Sequence, residues 1–190
     1  RQMCIRDRET AGGKSVVVIE KGEPKSCNIV TSCEGKGKTF IMFSDDLDKA
    51  LATFVLANGA AATGQKVTIF FTFWGLNVIK KLHKPNVEKD IFGKMFGMML
   101  PSSSRKLKLS KMSMGGIGGK MMRYIMNRKG IDSLESLRQQ ALENGVEFIA
   151  CQMSMDVMGV KQEELLDEVT IGGVATYMER ADNANINLFI

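Results

Sequence analysis

The chain has 190 residues, 44% of them hydrophobic, and its 26 Lys and Arg residues against 21 Asp and Glu residues give a formal charge of +5. This composition is ordinary for a globular protein that buries a core. No uninterrupted apolar run approaches the roughly 20 residues of a transmembrane helix, so the sequence predicts no membrane-spanning helix and leaves open a contact with a membrane surface.

The cysteines are few and unevenly placed, at Cys4, Cys27, Cys33 and Cys151. Cys27 and Cys33 have a spacing that is not a common zinc or redox spacing, and no second pair accompanies them. Apart from Cys4, which lies in the segment expected to be foreign, the set is odd in number, sparse and without a disulfide-dense framework, so we expect a reducing cytoplasm rather than a disulfide scaffold. We expect no metal site and no cofactor.

The first 37 residues are predicted to lie outside the main domain. Residues 1–8 are charged without the apolar centre of a signal peptide, and we expect them to be foreign to the protein or the edge of a fragment. Residues 12–24 are typical of one strand and a turn. Because a lone strand cannot form a domain, residues 1–24 are interpreted as the end of an upstream module and residues 25–37 as a linker.

The main domain is predicted to begin at Lys38 with a buried strand over 39–43. Ser44-Asp45-Asp46 supplies candidate helix caps. The following helix is predicted to end near Gly64. Its apolar face at i, i+3, i+4, i+7 and i+8 consists of Leu47, Ala50, Leu51, Phe54 and Val55.

A second strand is predicted over 66–73, because this run is apolar almost throughout, as parallel strands covered on both faces are. Trp74 to Asn77 is predicted to turn the chain into a short helix over 78–82. Alternation of strands and helices is typical of an α/β fold with a doubly wound, mainly parallel sheet.

Residues 84–130 interrupt this pattern with methionine, glycine and lysine. Between Lys80 and Lys129 there are 13 Lys and Arg residues, whereas the acidic residues are Glu88 and Asp90. Such a stretch can serve an acidic partner, an anionic ligand or a membrane, or be a solvated face. A nucleic-acid partner is disfavoured because few aromatic residues interleave the charges. The methionines from Met121 to Met126 are predicted to form a core-facing helix stripe.

Regular structure is predicted to resume at Asp132, which with Glu135 resembles a capping box. A helix ending at Gly145 and a strand ending at Cys151 follow. A short helix over 162–166 then precedes a strand over 169–171. Gly172-Gly173 precedes a helix over 174–184, and a last strand is predicted over 187–190.

Cys151 is the leading candidate for a reactive residue. It lies at the predicted carboxyl end of a strand, where open α/β sheets bind ligands. A helix starting immediately after it would direct N–H groups at the sulfur and favour the thiolate. An inert buried cysteine is the alternative. His83, the single histidine, is interpreted as a surface residue.

Five segments carry a family resemblance: 40–52, Phe73-Trp74-Gly75-Leu76-Asn77, 109–116, 150–159 and Ile171-Gly172-Gly173-Val174-Ala175. In this order they resemble the DsrE/DsrF/DsrH-like family, in the larger variety sometimes labelled peroxiredoxin-like, and the resemblance covers about 38–190. Residues 12–22 are similar to the end of a TusA/SirA-like sulfur-carrier domain.

The resemblance implies a flavodoxin-like three-layer sandwich, usually oligomeric, that accepts sulfane sulfur on Cys151 and passes it on. Rhodanese- or TusA-like donor and acceptor proteins are the implied partners. Met153, Met155 and Met158 are proposed to shield the sulfur, and Asp156 is expected to face outward or to cap a helix. The expected surroundings of the bound sulfur are Met153, Ser154, Met155, Gly172, Gly173, Trp74, Gly75 and Asn77.

Two other functions remain open at this point. One is a noncatalytic oligomeric scaffold in which Cys151 is structural. The other is a thiol peroxidase, which is disfavoured because the sequence lacks the Pro-x-x-x-Thr/Ser-x-x-Cys arrangement of peroxiredoxins.

Overall fold

A computed structural model describes residues 37–82, 100–101, 103–111 and 116–190. The predictions for residues 1–36, including Cys4, Cys27, Cys33 and the TusA-like segment, lie outside these ranges, as does His83. No helix in the described ranges has the length and apolarity to cross a membrane.

The described residues form five strands, five α-helices and three short 3₁₀ helices. The strands are β1 (Gly37–Met42), β2 (Val67–Phe71), β3 (Glu147–Cys151), β4 (Thr170–Gly172) and β5 (Ala184–Phe189). The α-helices are α1 (Leu47–Ala62), α2 (Ile117–Arg128), α3 (Leu134–Glu143), α4 (Gln152–Met158) and α5 (Val174–Asp182). The 3₁₀ helices are Phe73–Ile79, Ser104–Lys106 and Gln162–Glu164.

The strands form one sheet in the order β4-β3-β2-β1-β5, and all of its pairings are parallel. From β1 to β4 the chain moves in one direction along the sheet, and α5 then returns across it to place β5 beside β1. Because parallel crossovers are right-handed, a reversal of direction moves the connection to the opposite face. The predicted α/β fold, a flavodoxin-like three-layer sandwich with a parallel sheet, is confirmed.

Helices cover the two faces of the sheet unequally. We call the face that packs against α1, α3 and α4 the first face and the one that packs against α5 the second face. The first face carries most of the buried side chains, including Met42, Phe54, Phe71 and Phe148. The buried cluster on the second face consists of Phe70, Ile149, Cys151 and Tyr177.

Glycines end α1 and α3 as the sequence predicts. Gly64 and Gly145 both follow their helices with a positive φ, of 76° and 77°. At its other end, α1 has Asp46 as its N-cap residue, as predicted, but the expected side-chain capping hydrogen bond is not formed. The Leu47 N–H instead donates to the Lys108 carbonyl at 2.7 Å.

At α3 the predicted Asp132–Glu135 capping box is wrong. Ser133 is the cap, and its hydroxyl accepts from the Ser136 N–H at 3.1 Å. Asp132 instead accepts a hydrogen bond from the Ser136 hydroxyl at 3.1 Å. Glu135 accepts from Ser104 at 3.0 Å because tertiary packing brings that 3₁₀ helix alongside α3.

Three further predictions about helices need correction. Val55 is 57% exposed rather than part of the core face of α1. The predicted turn at Trp74 and helix over 78–82 are a single 3₁₀ helix, Phe73–Ile79. In α2 Met126 is buried and Met122 packs against the core, but Met121 is exposed. The methionine stripe is therefore narrower than predicted.

Candidate functional site

Cys151 is the last residue of β3 and the residue from which α4 begins. Its thiol is free, and its backbone is extended, with φ −72° and ψ 114°. The side chain makes no capping hydrogen bond to α4. It is only 1% exposed, because alternation along β3 turns Cys151 with Ile149 toward the second face, beneath α5.

The cover over Cys151 is made of β4 and α5. Gly172 is the register partner of Cys151 in the sheet. A Cβ on Gly172 would lie 2.8 Å from Ile149 Cγ2 and 3.3 Å from Thr176 Cβ. Close packing of the strand against the first turn of α5 therefore requires glycine here. Gly173 has no such neighbour within 4 Å and serves as the residue before α5.

Two side chains of α5, Tyr177 and Arg180, bind it to the second face by hydrogen bonds. The Tyr177 hydroxyl lies 3.3 Å from Thr39 Oγ1 on β1, and Thr39 also donates to Asn187 on β5. One turn further on, Arg180 donates to both oxygens of Glu147 on β3, at 2.9 and 3.2 Å. The hydrogen bond from Arg180 holds the pKa of Glu147 below its usual range, although burial opposes this shift. Both contacts lie nearer the amino-terminal ends of the strands, whereas Cys151 lies at the carboxyl end of β3.

Ser154, a predicted site residue, connects α4 to the end of β2. Its hydroxyl is fully buried and lies 2.8 Å from Thr72 Oγ1. Register places Ala150 beside Phe71, so Thr72 follows β2 at the level of Cys151. This hydroxyl pair fixes the start of α4 on the strand that neighbours the cysteine.

The predicted methionine shield is not found. Met155 and Met158 are buried in the cluster on the first face, whereas Cys151 lies in the cluster on the second face. Met153 is 55% exposed. The expectation for Asp156 is confirmed: it is exposed and accepts a hydrogen bond from Gln152 at 3.0 Å.

Trp74, Gly75 and Asn77 lie at the same carboxyl edge of the sheet, after β2. A Cβ on Gly75 would lie 2.0 Å from the Met42 carbonyl oxygen, and the Gly75 N–H donates to the Phe43 carbonyl at 2.8 Å. Only glycine fits this approach. Phe73, just before, has a positive φ of 46°, a strained conformation for a residue with a side chain.

Asn77 is completely buried and donates to Asp45 at 3.0 Å. Burial raises the pKa of Asp45, and this hydrogen bond opposes the rise. The other amide atom, Asn77 Oδ1, has no hydrogen-bond partner in the described structure. Gly75 and Asn77 thus form hydrogen bonds with Phe43 and Asp45 in the loop after β1. None of the hydrogen bonds described for these two residues involves Cys151. Trp74 is exposed at the edge.

A cavity of about 450 Å³ lies elsewhere, between α2 and α3. Arg123, Met126, Ile131 and Ser133 are among the residues that line it, and it contains none of the predicted site residues. In the described ranges no three His, Cys, Asp or Glu side chains are grouped as a metal site requires.

The structure thus brings Ser154 and Gly172 next to Cys151 and separates Met155, Gly75 and Asn77 from it. Sequence reasoning missed Tyr177, Phe70, Thr72 and Arg180. A signal for Tyr177 existed, because Tyr177 and Ala181 are four residues apart in an amphipathic helix and together meet the sheet. The side chains opposite them could not be identified without the strand order.

Within the described ranges, the fold and site define an α/β protein with a buried thiol at the carboxyl edge of a parallel sheet, covered by helix α5. The chain belongs to the DsrE/DsrF/DrsH-like family, whose model matches residues 35–189. The family membership inferred from the motifs is confirmed.

Two curated relatives match most of the chain. YrkE of Bacillus subtilis (strain 168) is 44% identical over 155 residues, which cover 82% of this chain and 97% of that protein. The sulfur carrier protein DsrE2 of Allochromatium vinosum is 38% identical over 161 residues, which cover 83% and 99%. Among solved structures, the ychN protein from E. coli matches 81% of this chain and 99% of its own, with 10% identity and a TM-score of 0.46.

Proposed function

We propose that the protein is a sulfur carrier that holds sulfane sulfur as a persulfide on Cys151 and transfers it to a partner thiol. The observation that carries the proposal is the position of Cys151. It is the single cysteine among residues 35–189, which match the family, and it lies at the carboxyl edge of the sheet. A relative of similar length is named a sulfur carrier protein, which supports the same role.

The transfer consists of two exchanges at sulfur. In the first, the Cys151 thiolate attacks the outer sulfur of a donor persulfide; the new S–S bond forms as the donor S–S bond breaks, and the donor thiolate leaves with the electron pair. In the second, an acceptor thiolate attacks the outer sulfur on Cys151, and the Cys151 thiolate leaves. No oxidant or reductant is consumed, because sulfane sulfur only changes its carrier.

Burial of Cys151 means that the thiol must be uncovered before either exchange. The first face cannot provide the opening, since its helices enclose the main core. On the second face Tyr177 of α5 shares the buried cluster of the thiol, and Thr176 of α5 packs against Gly172 on the neighbouring strand β4. We therefore propose that α5 moves away from β3 when a partner docks. Low-stability elements that cover ligand sites behave in this way.

Exposed apolar side chains near this edge provide a surface for such a partner. Met153 on α4, Val174 at the start of α5 and Trp74 after β2 are 55%, 53% and 43% exposed. Apolar side chains at a surface are typical of protein contacts. The partners proposed from the family resemblance are rhodanese- or TusA-like sulfur donors and acceptors in the cytoplasm, and the carrier itself is proposed to be oligomeric.

The test is sulfur loading at Cys151. The protein is incubated with polysulfide, and intact-mass and peptide-mass spectrometry are used to locate added sulfur. We expect a gain of one or more sulfur atoms on Cys151, lost when an acceptor thiol is added. Cys151→Ser should abolish it, whereas a variant with Cys4, Cys27 and Cys33 replaced by Ser should load normally. Normal loading of Cys151→Ser would refute the proposal.

A noncatalytic scaffold remains the second candidate, and the 1% exposure of Cys151 favours it. In that case the thiol is a small apolar group in the cluster with Phe70 and Tyr177. Cys151 would then react with iodoacetamide at the rate of global unfolding, and polysulfide would add no sulfur to the folded protein. Reaction much faster than unfolding favours the carrier.

A further inference from the structure

Helix α2 carries a row of exposed apolar side chains on its outer side. Ile117, Met121 and Tyr124 are 64%, 47% and 66% exposed, and Ile125 beside them is 39% exposed. Exposed apolar side chains that are grouped on one element are typical of interaction sites. We call Ile117, Met121 and Tyr124 the α2 seam.

The inner side of α2 attaches the helix to the rest of the domain. Gly119 and Met126 are buried there, and a Cβ on Gly119 would lie 3.3 Å from the Leu107 carbonyl oxygen. Arg123 donates to the Ser104 carbonyl at 3.0 Å. These contacts hold α2 by its inner side, so the exposed seam is not needed to dock the helix.

The spacing of the seam is that of a helix–helix contact. From Ile117 the row continues at Met121, Tyr124 and Arg128, in steps of four, three and four residues. At 3.6 residues per turn these four side chains lie within about 60° around the helix axis. Steps of four and three residues are those of the a and d positions of a heptad, whose side chains insert between the side chains of a partner helix. The apolar row therefore ends on a cation.

The surroundings of the seam are basic. Between residues 103 and 131 the sequence has no Asp or Glu. Lys120 lies at the border of the seam, Arg128 and Lys129 follow at its carboxyl-terminal end, and all three are exposed. Carboxylates on a partner would therefore be attracted along the whole of α2. The eight basic residues of this stretch are Arg105, Lys106, Lys108, Lys111, Lys120, Arg123, Arg128 and Lys129.

We propose that the α2 seam binds an acidic amphipathic helix of a partner protein. The apolar a and d positions of that helix face Ile117, Met121 and Tyr124, its flanking positions are Glu or Asp, and one of its carboxylates lies opposite Arg128. Helix α2 has 12 residues, which makes it about 18 Å long. The contact is therefore small, and complexes with small interfaces are usually transient.

Two other occupants fit the seam less well. A second copy of α2 would bring Lys120, Arg128 and Lys129 of the two chains together, and like charges across an interface disfavour pairing. An anionic membrane requires the apolar side chains to enter the headgroup region together. Arg128 on the line of the seam and Lys120 at its border would enter with them. An acidic helix, by contrast, meets both cations with carboxylates.

The proposal does not rest on the sulfur-carrier function. The described residues of the buried cluster around Cys151 lie on the strands and on α5, whereas the seam lies on α2. Binding at the seam and sulfur loading at Cys151 can therefore succeed or fail separately.

Binding of a designed peptide to the full chain tests the proposal. The probe is a fluorescein-labelled, three-heptad helical peptide with Leu at positions a and d and Glu at positions e and g. Its matched control has Lys at e and g. Like charges at these positions keep each peptide from pairing with itself. Fluorescence anisotropy should show that the Glu peptide binds at least tenfold more tightly than the Lys peptide.

Two pairs of variants locate the binding on α2. Met121→Ala truncates the centre of the seam and should weaken binding of the Glu peptide about tenfold. Val157→Ala, at a side chain that is 58% exposed on α4, should leave it unchanged. Lys120→Glu should weaken the Glu peptide and strengthen the Lys peptide, each by about threefold, whereas Lys66→Glu, at an exposed lysine before β2, should alter neither. A misfolded variant would not gain affinity for the Lys peptide.

Equal binding of the two peptides overturns the proposal, as does binding of the Glu peptide that Met121→Ala leaves intact. Co-sedimentation with phosphatidylserine vesicles without binding of either peptide would make a membrane the occupant and overturn it as well. So would a dimer in sedimentation velocity that Met121→Ala dissociates, if neither peptide binds. Sulfur loading of Cys151 is measured in the same variants. Peptide binding without loading in the wild type would refute the carrier function and support the seam.

Discussion

The two faces of the sheet differ in what covers them. On the first face, three helices enclose a cluster that joins Phe54, Phe71 and Phe148, with ring centroids 5.4–6.4 Å apart. On the second face, α5 is the helix that packs on the strands within the described ranges, and the contact of its Tyr177 with Phe70, with ring centroids 5.2 Å apart, accompanies a row of polar side chains. Cys151 lies on the second face.

This difference separates stability from access. Burial of apolar area is the main stabilising contribution, and it is concentrated on the first face. A thiol there would be reached only by global unfolding. On the second face, displacement of one nine-residue helix uncovers the thiol while the main core stays intact. This asymmetry is compatible with the proposed carrier role, in which the thiol is covered between transfers and uncovered when a partner docks.

The strongest test of this comparison is truncation of one phenylalanine on each face. Phe148→Ala should lower the free energy of unfolding by about 3–5 kcal/mol, as buried Phe→Ala changes do. Phe70→Ala should lower the free energy of unfolding by about 1–2 kcal/mol less than Phe148→Ala does, because α5 can shift to fill part of the cavity. Urea unfolding followed by circular dichroism measures both.

Alkylation of Cys151 under native conditions completes this test. Phe70→Ala should speed the reaction of Cys151 more than Phe148→Ala does, despite its smaller cost in stability. Peptide-mass spectrometry separates Cys151 from the other cysteines. If the rates instead follow global stability in both variants, the two faces do not open separately.

A smaller effect is expected from Tyr177→Phe, which removes only the hydroxyl that meets Thr39 at 3.3 Å. Thr39 keeps Asn187 as a partner, so no buried group is left unpaired. The lost hydrogen bond should weaken the docking of α5 by about 1 kcal/mol, and Cys151 should react about fivefold faster. Tyr124→Phe, at a tyrosine that is 66% exposed, is the matched control. Equal rates in both variants would show that the hydroxyl does not hold α5.

The smallest effect concerns the pair of Arg180 with Glu147. Because Arg180 lowers the pKa of Glu147 below its ordinary value of 4.5, the pair contributes fully to stability above that value. The contribution is lost as pH falls through the lowered pKa of the folded state. Wild type should have a slightly higher free energy of unfolding than Arg180→Gln near neutral pH, and the difference should narrow below about pH 4.5.

The control for that pH dependence is Glu147→Gln, which retains an acceptor oxygen and cannot titrate. In this background Arg180→Gln should give a difference that does not vary with pH. Urea unfolding at several pH values measures it. If the difference in free energy of unfolding between wild type and Arg180→Gln stays constant down to pH 3, the pH dependence does not come from Glu147.

The sequence was sufficient for the sheet strands and for placing Cys151 at the end of one. Apolar runs at 39–43, 66–73 and 146–151 correspond to β1, β2 and β3, since strands buried on both faces are apolar throughout. The same property hid which side Cys151 faces. In a strand without polar alternation, the inward and outward positions look alike, and the choice depends on where α5 packs.

Local rules failed where tertiary contacts compete with them. Asp46 and Asp132 are good capping residues by type. At α1, however, the Leu47 N–H donates to the Lys108 carbonyl and Asp46 makes no side-chain cap, and at α3 the neighbouring Ser133 is the cap. The methionines after Cys151 follow a helical period, and their buried members turn to the first face, opposite the thiol. Periodicity shows that one side is buried without showing which side of the sheet it meets.

The order of the elements along the chain has a consequence for synthesis on the ribosome. Strand β1 emerges early, yet its neighbour β5 and the helix α5 emerge only after β2, β3 and β4. Until then the nascent sheet can bury its first face, while Cys151 has no helix above it. During translation the Cys151 thiol is therefore accessible to other molecules, and it becomes buried only when α5 packs onto the sheet.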